Sequence, residues 1–478
     1  MSSPLWILDE ILAAVGAHVG SGFKQATGAS IDTRTLEPGD LYFAIKGDVH
    51  DGHDFVPAAL EKGASAAVVS EEKASGFDDR SRLIVVPDVL EAMRQLGRAA
   101  RKRTDAKIVA ITGSVGKTGT KEAMRIALSR QGATHASVAS YNNHWGVPLT
   151  LARMPRESVF GVFEIGMNHA YEILPLTSMV RPHVAVITTV EPVHIEFFPS
   201  LWGIADAKGE IFSGLEPGGT AVLNRDNAYY ERMRAHALAS DAGRIVTFGE
   251  HETADIRADR IIVKPDQSIV EARIFGEPVT YRIGTAGRHI ALNSLSVLAA
   301  CHALGADPAL AALSFMDLKS PIGRGERTML SLRDGEALLI DESYNANPAS
   351  MRAALANLGA VKLDRHGRRL AVLGDMKELG ETGPALHEGL AEAIEANEVD
   401  LVFAAGPLMT GLVKQLPKAK VALHAETSAE LVDAVCRAIR PGDAVMVKGS
   451  LSMKMALVVK ALKERYGASQ TANALKGS

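Results

Sequence analysis

At 478 residues, with 47% apolar and 23% charged residues, the chain has ordinary globular composition and enough length for about three domains. Its 52 basic and 56 acidic residues leave a net charge of −4, which argues against the basic face of a nucleic-acid binder. Two cysteines, Cys301 and Cys436, exclude a disulfide framework, and no apolar run approaches the ~18–20 residues of a membrane span. The first eleven residues carry Asp9 and Glu10 and lack the basic start of a signal peptide. A cytoplasmic, monomeric protein with no nucleic-acid partner and no membrane segment is therefore expected.

Taken in chain order, residues 1–104 read as a small α/β unit. Short buried strands are expected at 40–45 and 66–69, with a helix beginning at 55–60 between them. The basic cluster Arg98, Arg101, Lys102 and Arg103 reads as a solvated helix end, well placed for the helix dipole. A second unit, 105–318, opens with a strand at 108–112, a glycine-rich turn and a helix at 117–130. Buried strands follow at 159–165, 184–188 and 220–223, a pattern that predicts a doubly wound parallel sheet. Alternating residues at 254–283 predict an antiparallel excursion, and a helix at 290–304 closes the unit. The third unit, 319–478, has strands at 337–341, 369–373, 401–404 and 444–447. It reads as Rossmann-like but lacks the G-x-G-x-x-G fingerprint, and 467–478 reads as a frayed tail. The expected fold is α/β in three domains.

The sharpest chemical signal is Gly113-Ser114-Val115-Gly116-Lys117-Thr118-Gly119, between an apolar strand and a helix. Backbone N–H groups at such a turn form an anion cradle. Lys117 can neutralise terminal phosphates of ATP, and the Thr118 hydroxyl can reach Mg²⁺. The spacing departs from G-x-x-x-x-G-K-[ST], because Gly113 lies only three residues before Gly116. A glycine turn followed by a surface lysine is the bland alternative, which the flanking strand and helix disfavour. Glu164 ends an apolar strand and is either a Mg²⁺ ligand or an exposed strand-end charge. His194 is open too, although a lone histidine is more often a hydrogen-bonded structural residue than a ligand.

Together these segments resemble the Mur ligase family. The short-spaced 113–118 loop, Asn142-Asn143-His144-Trp145-Gly146-Val147-Pro148, Glu164-Ile165-Gly166-Met167-Asn168 and Ala207-Lys208-Gly209-Glu210 are all similar to motifs of that family. So are Gly287-Arg288-His289 with Asn293, and Asp341-Glu342-Ser343-Tyr344-Asn345-Ala346-Asn347-Pro348. The 341–347 and 373–380 segments resemble the branch that adds D-alanyl-D-alanine to UDP-N-acetylmuramoyl-tripeptide, and no Asp-Asn-Pro-Arg motif of the diamino-acid branch occurs.

The resemblance implies roles. ATP phosphates would lie on Lys117 and the loop amides, one Mg²⁺ on Thr118 and Glu164, and a second metal near His194. Lys208 would be carbamylated and become an oxygen ligand; taken alone it reads as a surface lysine on a helix. His289 and Asn293 would contact the nucleotide, joined by Asp341 and by Arg324 or Arg327, since 323–327 offers two registers. Ser30, Thr33, Arg34 and Lys46 would serve the UDP substrate, with Asn142, Asn143, Tyr344, Asn345 and Asn347 nearer the reacting end. Asp375, Lys448 and Ser450 would line the dipeptide pocket, or else be ordinary strand-end loop residues. Two other readings compete: a folylpolyglutamate synthetase, disfavoured by the hundred residues before the P-loop, and a P-loop switch or motor ATPase.

Overall fold

The computed structural model describes residues 4–138, 140–193, 195–319 and 323–467, with only the backbone of His18 and Val19. The expected tail from 468 onward lies outside these residues.

Three main sheets follow one another along the chain. The first has the order 18–19, 83–86, 66–70, 40–43, 28–30, parallel except for the edge strand His18–Val19. A two-stranded antiparallel pair, Trp6–Ile7 with Gln25–Ala26, sits beside it. The second sheet has nine strands, in the order 277–283, 268–274, 256–263, 242–249, 219–224, 184–187, 107–112, 160–164, 134–136. Only the pairings among its last-formed strands, 256–263, 268–274 and 277–283, are antiparallel, which is the excursion expected at 254–283. The third sheet runs 326–332, 335–342, 444–448, 369–374, 401–405, 421–425, with Glu326–Leu332 as its antiparallel edge.

The buried strands are apolar on both faces because helices cover both. In Lys107–Thr112, Val109 and Ile111 face one core cluster while Ile108 and Ala110 face the other, the two-residue period of a strand. Val184–Ile187 divides in the same way. In the third sheet Leu370 and Val372 pack on one side, Ala371 and Leu373 on the other. Helix Lys117–Ser129 sinks Met124 and Leu128 under helix Arg288–Ala303, each side chain contributing about 1.5–3 kcal/mol by leaving water.

Several elements were not legible in advance. Strands Thr134–Ala136, Glu326–Leu332 and Val421–Ala425 lie at sheet edges, where partial exposure blurs the apolar run, and the interior strand Ala242–Gly249 begins with partly exposed residues. Helix Arg288–Ala303 does not close the second unit; Asp307 caps a further helix, Pro308–Ser314, by accepting from the Ala309 N–H at 2.7 Å.

The basic cluster at 98–103 is not a solvated helix end. Arg101, 6% exposed, donates to the carbonyls of Val180 and Arg181, both at 2.8 Å, and pairs with Glu216 at 3.1 Å. Arg103 lies over the Trp6 ring at 3.6 Å and pairs with Glu10 at 3.2 Å. Helix Val89–Lys102 thereby fastens the first sheet to the second, because its last turn caps the C-terminal end of helix Ile173–Val180. Arg98, paired with Glu91, and Lys102 remain exposed at the surface.

Candidate active site

Strand Lys107–Thr112 lies between strands Phe160–Glu164 and Val184–Ile187, where chain connections leave toward opposite sides of the sheet. Ligands of open parallel sheets bind at the carboxyl end of such a switch point. Gly113 (φ +150°) and Gly116 (φ +88°) make the turn there, in backbone conformations that side-chain-bearing residues rarely adopt. A Cβ on Gly113 would meet Thr188 Oγ1 at 1.9 Å, and one on Gly116 would meet Asn293 Nδ2 at 2.3 Å. The loop is therefore clamped from both sides.

Its other fixings are polar. The Thr188 hydroxyl donates to the Val115 carbonyl at 2.6 Å. The Ser114 hydroxyl donates to the Glu191 carbonyl and accepts from the Glu191 N–H, each at 2.9 Å. Lys117 folds back to donate from Nζ to the Gly113 carbonyl at 2.6 Å, and burial with Arg324 nearby holds its ammonium below the usual lysine range.

The loop forms one wall of a cleft of about 770 Å³. Ser114, Val115, Gly116, Lys117, Thr118 and Gly119 line this wall together with Asn142, Glu164, His289 and Asn293. The opposite wall comes from the third sheet: Arg324, Tyr344, Asn345, Asn347 and Lys448. Arg324 spans the gap. Its guanidinium lies 4.2 Å over the Tyr344 ring, and Nη2 donates to Ser140 Oγ at 3.3 Å, which is 3.3 Å from Thr118 Oγ1.

Glu164 meets the requirement for a cation ligand. One carboxylate oxygen accepts from Asn142 Nδ2 at 2.7 Å; the other is buried and has no hydrogen-bond partner. A buried carboxylate oxygen left bare is costly unless a cation completes it. His194 lies outside the described residues. Lys208 is not the surface lysine of the bland reading: at the end of helix Leu201–Gly209 it is 3% exposed, and burial near Lys117 pushes its amine well below the usual range.

Other expected residues sit elsewhere. Arg327 lies on the strand Glu326–Leu332, half-buried with Asp266 as its charged neighbour, and does not line the cleft; Arg324 alone of the two registers does. Asp341 is buried behind the wall, accepting from the Ser343 N–H and hydroxyl at 3.0 and 2.6 Å. Asp375 and Ser450 are buried too and do not line the cleft. Asp375 accepts from Met409 N–H and Lys377 Nζ, and Ser450 Oγ accepts from Lys377 N–H, so both hold the 375–383 loop. Asn143 and Asn347 spend their side chains on helix starts, accepting from Gly146 and Ser350 N–H groups at 2.9 Å. Ser30 is buried, Arg34 pairs with Asp32, and Lys46 is exposed; with Thr33 they belong to the first sheet's surroundings, away from the cleft.

Sequence reasoning passed over Ser140, Thr188, Glu191 and Glu342, all of which line the cleft. Their shared signal was position at or just past the end of a strand. Burial raises the Glu191 carboxyl, opposed by Arg352 from helix Pro348–Gly359 across the cleft.

Comparisons with known proteins agree along the whole chain. The Mur ligase middle domain matches residues 111–301, the Mur ligase glutamate ligase domain 324–451, and the Mur ligase family catalytic domain 25–101. UDP-N-acetylmuramoyl-tripeptide–D-alanyl-D-alanine ligase of Escherichia coli (strain K12) is 34% identical over 435 residues, covering 91% of this chain and 93% of its own. The crystal structure of MurF from Acinetobacter baumannii superposes with a TM-score of 0.82 at 28% identity, covering 97% of this chain and 99% of that one. MurF from Thermotoga maritima, solved in complex with ADP, shares the fold with a TM-score of 0.74 at 24% identity, covering 92% and 98%.

Proposed function

The chain belongs to the Mur ligase family, and from that premise we infer that it ligates D-alanyl-D-alanine to UDP-N-acetylmuramoyl-tripeptide with ATP. The product is the UDP-muramoyl-pentapeptide precursor of peptidoglycan, with ADP and phosphate. The observation that carries the reading is the paired wall: a phosphate loop on one sheet faces Arg324, Tyr344 and Lys448 of another across a single cleft.

The substrate carboxylate attacks the γ-phosphate, giving an acyl phosphate, and the dipeptide amine then displaces phosphate at the acyl carbon. Lys117 and the loop amides hold the phosphate oxygens while charge moves onto the leaving ADP. Arg324, anchored on Tyr344 and Ser140, adds a second cation from the facing wall. Thr118 and Glu164 would hold Mg²⁺, and His194 and Lys208 would help to hold a second ion; bound there, the metals neutralise charge on the phosphates. A neutral Lys208 amine is the form that can take up CO₂ to become a carbamate, and its burial favours that form. His289 and Asn293 contact the nucleotide.

We assign 1–104 to the UDP substrate, with Ser30, Thr33, Arg34 and Lys46 as contacts, 105–318 to ATP, and 319–478 to the dipeptide and further ATP contacts. The cleft is completed within one chain, which supports a working monomer, and the nucleotide-borne substrate supports a cytoplasmic setting. Among the described residues no helix is long and apolar enough to cross a membrane.

The test is the mass of the nucleotide product. With ATP, UDP-N-acetylmuramoyl-tripeptide and dipeptide, the product gains D-alanyl-D-alanine less one water. Gain of a single amino acid instead, with the dipeptide ignored, would move the enzyme to an earlier step.

A further inference from the structure

The ligation reading, on which this inference rests, leaves one proton unassigned. The dipeptide's amine arrives largely as an ammonium, because an α-amino group has a pKa of about 8. Its nitrogen can attack only after losing a proton, and the phosphate-loop wall is occupied with the opposite charge problem.

Lys448 is a buried amine on the facing wall of the cleft. It ends the strand Ala444–Lys448, in the middle of the third sheet, with Glu342 and Leu373 as its register neighbours. It lines the cleft although only 3% exposed. Nζ donates to the Asn345 carbonyl at 2.9 Å and lies 3.5 Å from Glu342 Oε2. Two acceptors match the two N–H bonds of a neutral amine and leave its lone pair for a third partner.

We propose that Lys448 is the base of the amine step, held in the cleft by Asn345 and Glu342 to take the proton from the dipeptide's ammonium. An N–H bond of the ammonium breaks and its proton passes to Lys448 Nζ. The freed nitrogen pair forms the C–N bond at the acyl carbon, the C–O bond to phosphate breaks, and phosphate leaves with the electron pair of that C–O bond. The second nitrogen proton departs as the amide forms, taken up by the leaving phosphate.

The surroundings supply the balance a base needs. Burial and the nearby Arg324 push Lys448 below the usual lysine range, while Glu342 and Asp341 pull it back. His289, from helix Arg288–Ala303, is the other titratable group facing this pair.

Two reactions on the full chain test the proposal. Acyl-phosphate formation is read without dipeptide, as a hydroxamate captured by hydroxylamine, a nucleophile that is neutral near pH 7 and needs no base. Amide formation is read with dipeptide from pH 6 to 9. Lys448→Met should keep hydroxamate formation within about threefold and lose amide formation at pH 7 by about 10²–10⁴. Its residual amide rate should climb about tenfold per pH unit until the free amine predominates near pH 8. Lys448→Arg should fail in the same way, because a guanidinium does not give up its proton. Amide formation by Lys448→Arg near the wild-type rate would reduce the residue to a mere cation and overturn the proposal. So would an equal loss of both reactions in Lys448→Met, or no loss of either. A wild-type enzyme that makes hydroxamate but no amide with the dipeptide would bring down the ligation reading and this inference together.

Discussion

The two walls of the cleft are built on different plans. The phosphate wall is built around one contiguous segment, 113–119, whose Gly113 and Gly116 leave no room for a Cβ. The facing wall is assembled from side chains at separate strand ends, Arg324, Glu342, Tyr344 and Lys448, with the acidic and basic partners Glu342 and Lys448 lying 106 residues apart. Main-chain N–H groups suit an anion that every turnover presents in the same way. Side chains at strand ends can be exchanged one at a time, which suits the wall that must select an amine.

The comparison breaks most visibly at Lys117. Replacing it with Met removes the phosphate wall's only side-chain cation in the loop and should lower ATP turnover by about 10³ while leaving the fold intact. Rates measured beside a thermal melt would check both halves. Arg324→Ala should cost about 10², because it removes the guanidinium that reaches across the cleft to Ser140 beside Thr118. Arg327→Ala, with its side chain turned toward Asp266, should stay within about threefold. Equal losses at both arginines would erase the distinction between the two registers.

A fourth substitution sharpens the contrast by touching neither wall. Arg101→Ala strips two helix-end carbonyls and Glu216 of their partner and should lower stability by about 3 kcal/mol, read by denaturant unfolding, with ATP turnover below the melting transition little changed.

The smallest effect concerns Lys208, behind the phosphate wall. Its amine is depressed by burial, so between its folded value and the ordinary lysine value the unfolded chain binds the extra proton. Stability without nucleotide, metal or CO₂ should therefore rise with pH through that window. Lys208→Met should flatten the rise and stabilise the protein at neutral pH. A melting temperature that falls with pH in the wild-type chain, or the same slope in the variant, would contradict the assignment.

The phosphate wall was legible because a backbone cradle demands adjacent residues, so strand, glycine turn, lysine and helix all appear in one short stretch. The facing wall was legible only through resemblance, and then unevenly. Lys448 and Asp375 both sit at the ends of strands in the third sheet, yet one lines the cleft and the other is sunk under the 375–383 loop. Nothing local to either residue reports that difference; it depends on what crosses above. The basic run at 98–103 failed for the same reason. Its charges satisfy carbonyls of a helix eighty residues away, which no charge count reveals. Most parallel core strands, apolar on both faces, were recognised nearly to their ends, whereas the half-exposed edge strands were not, and the buried parallel strand Leu83–Val86 was missed as well.

The most direct test of the account follows oxygen. UDP-N-acetylmuramoyl-tripeptide labelled with ¹⁸O in the reacting carboxylate is incubated with the enzyme, ATP and D-alanyl-D-alanine, and the released phosphate is weighed by mass spectrometry. If the carboxylate takes the γ-phosphoryl group before the amine displaces it, one labelled oxygen leaves with each phosphate. Phosphate free of label, with the displaced carboxylate oxygen appearing in water instead, would contradict the acyl-phosphate route and the division of labour between the two walls.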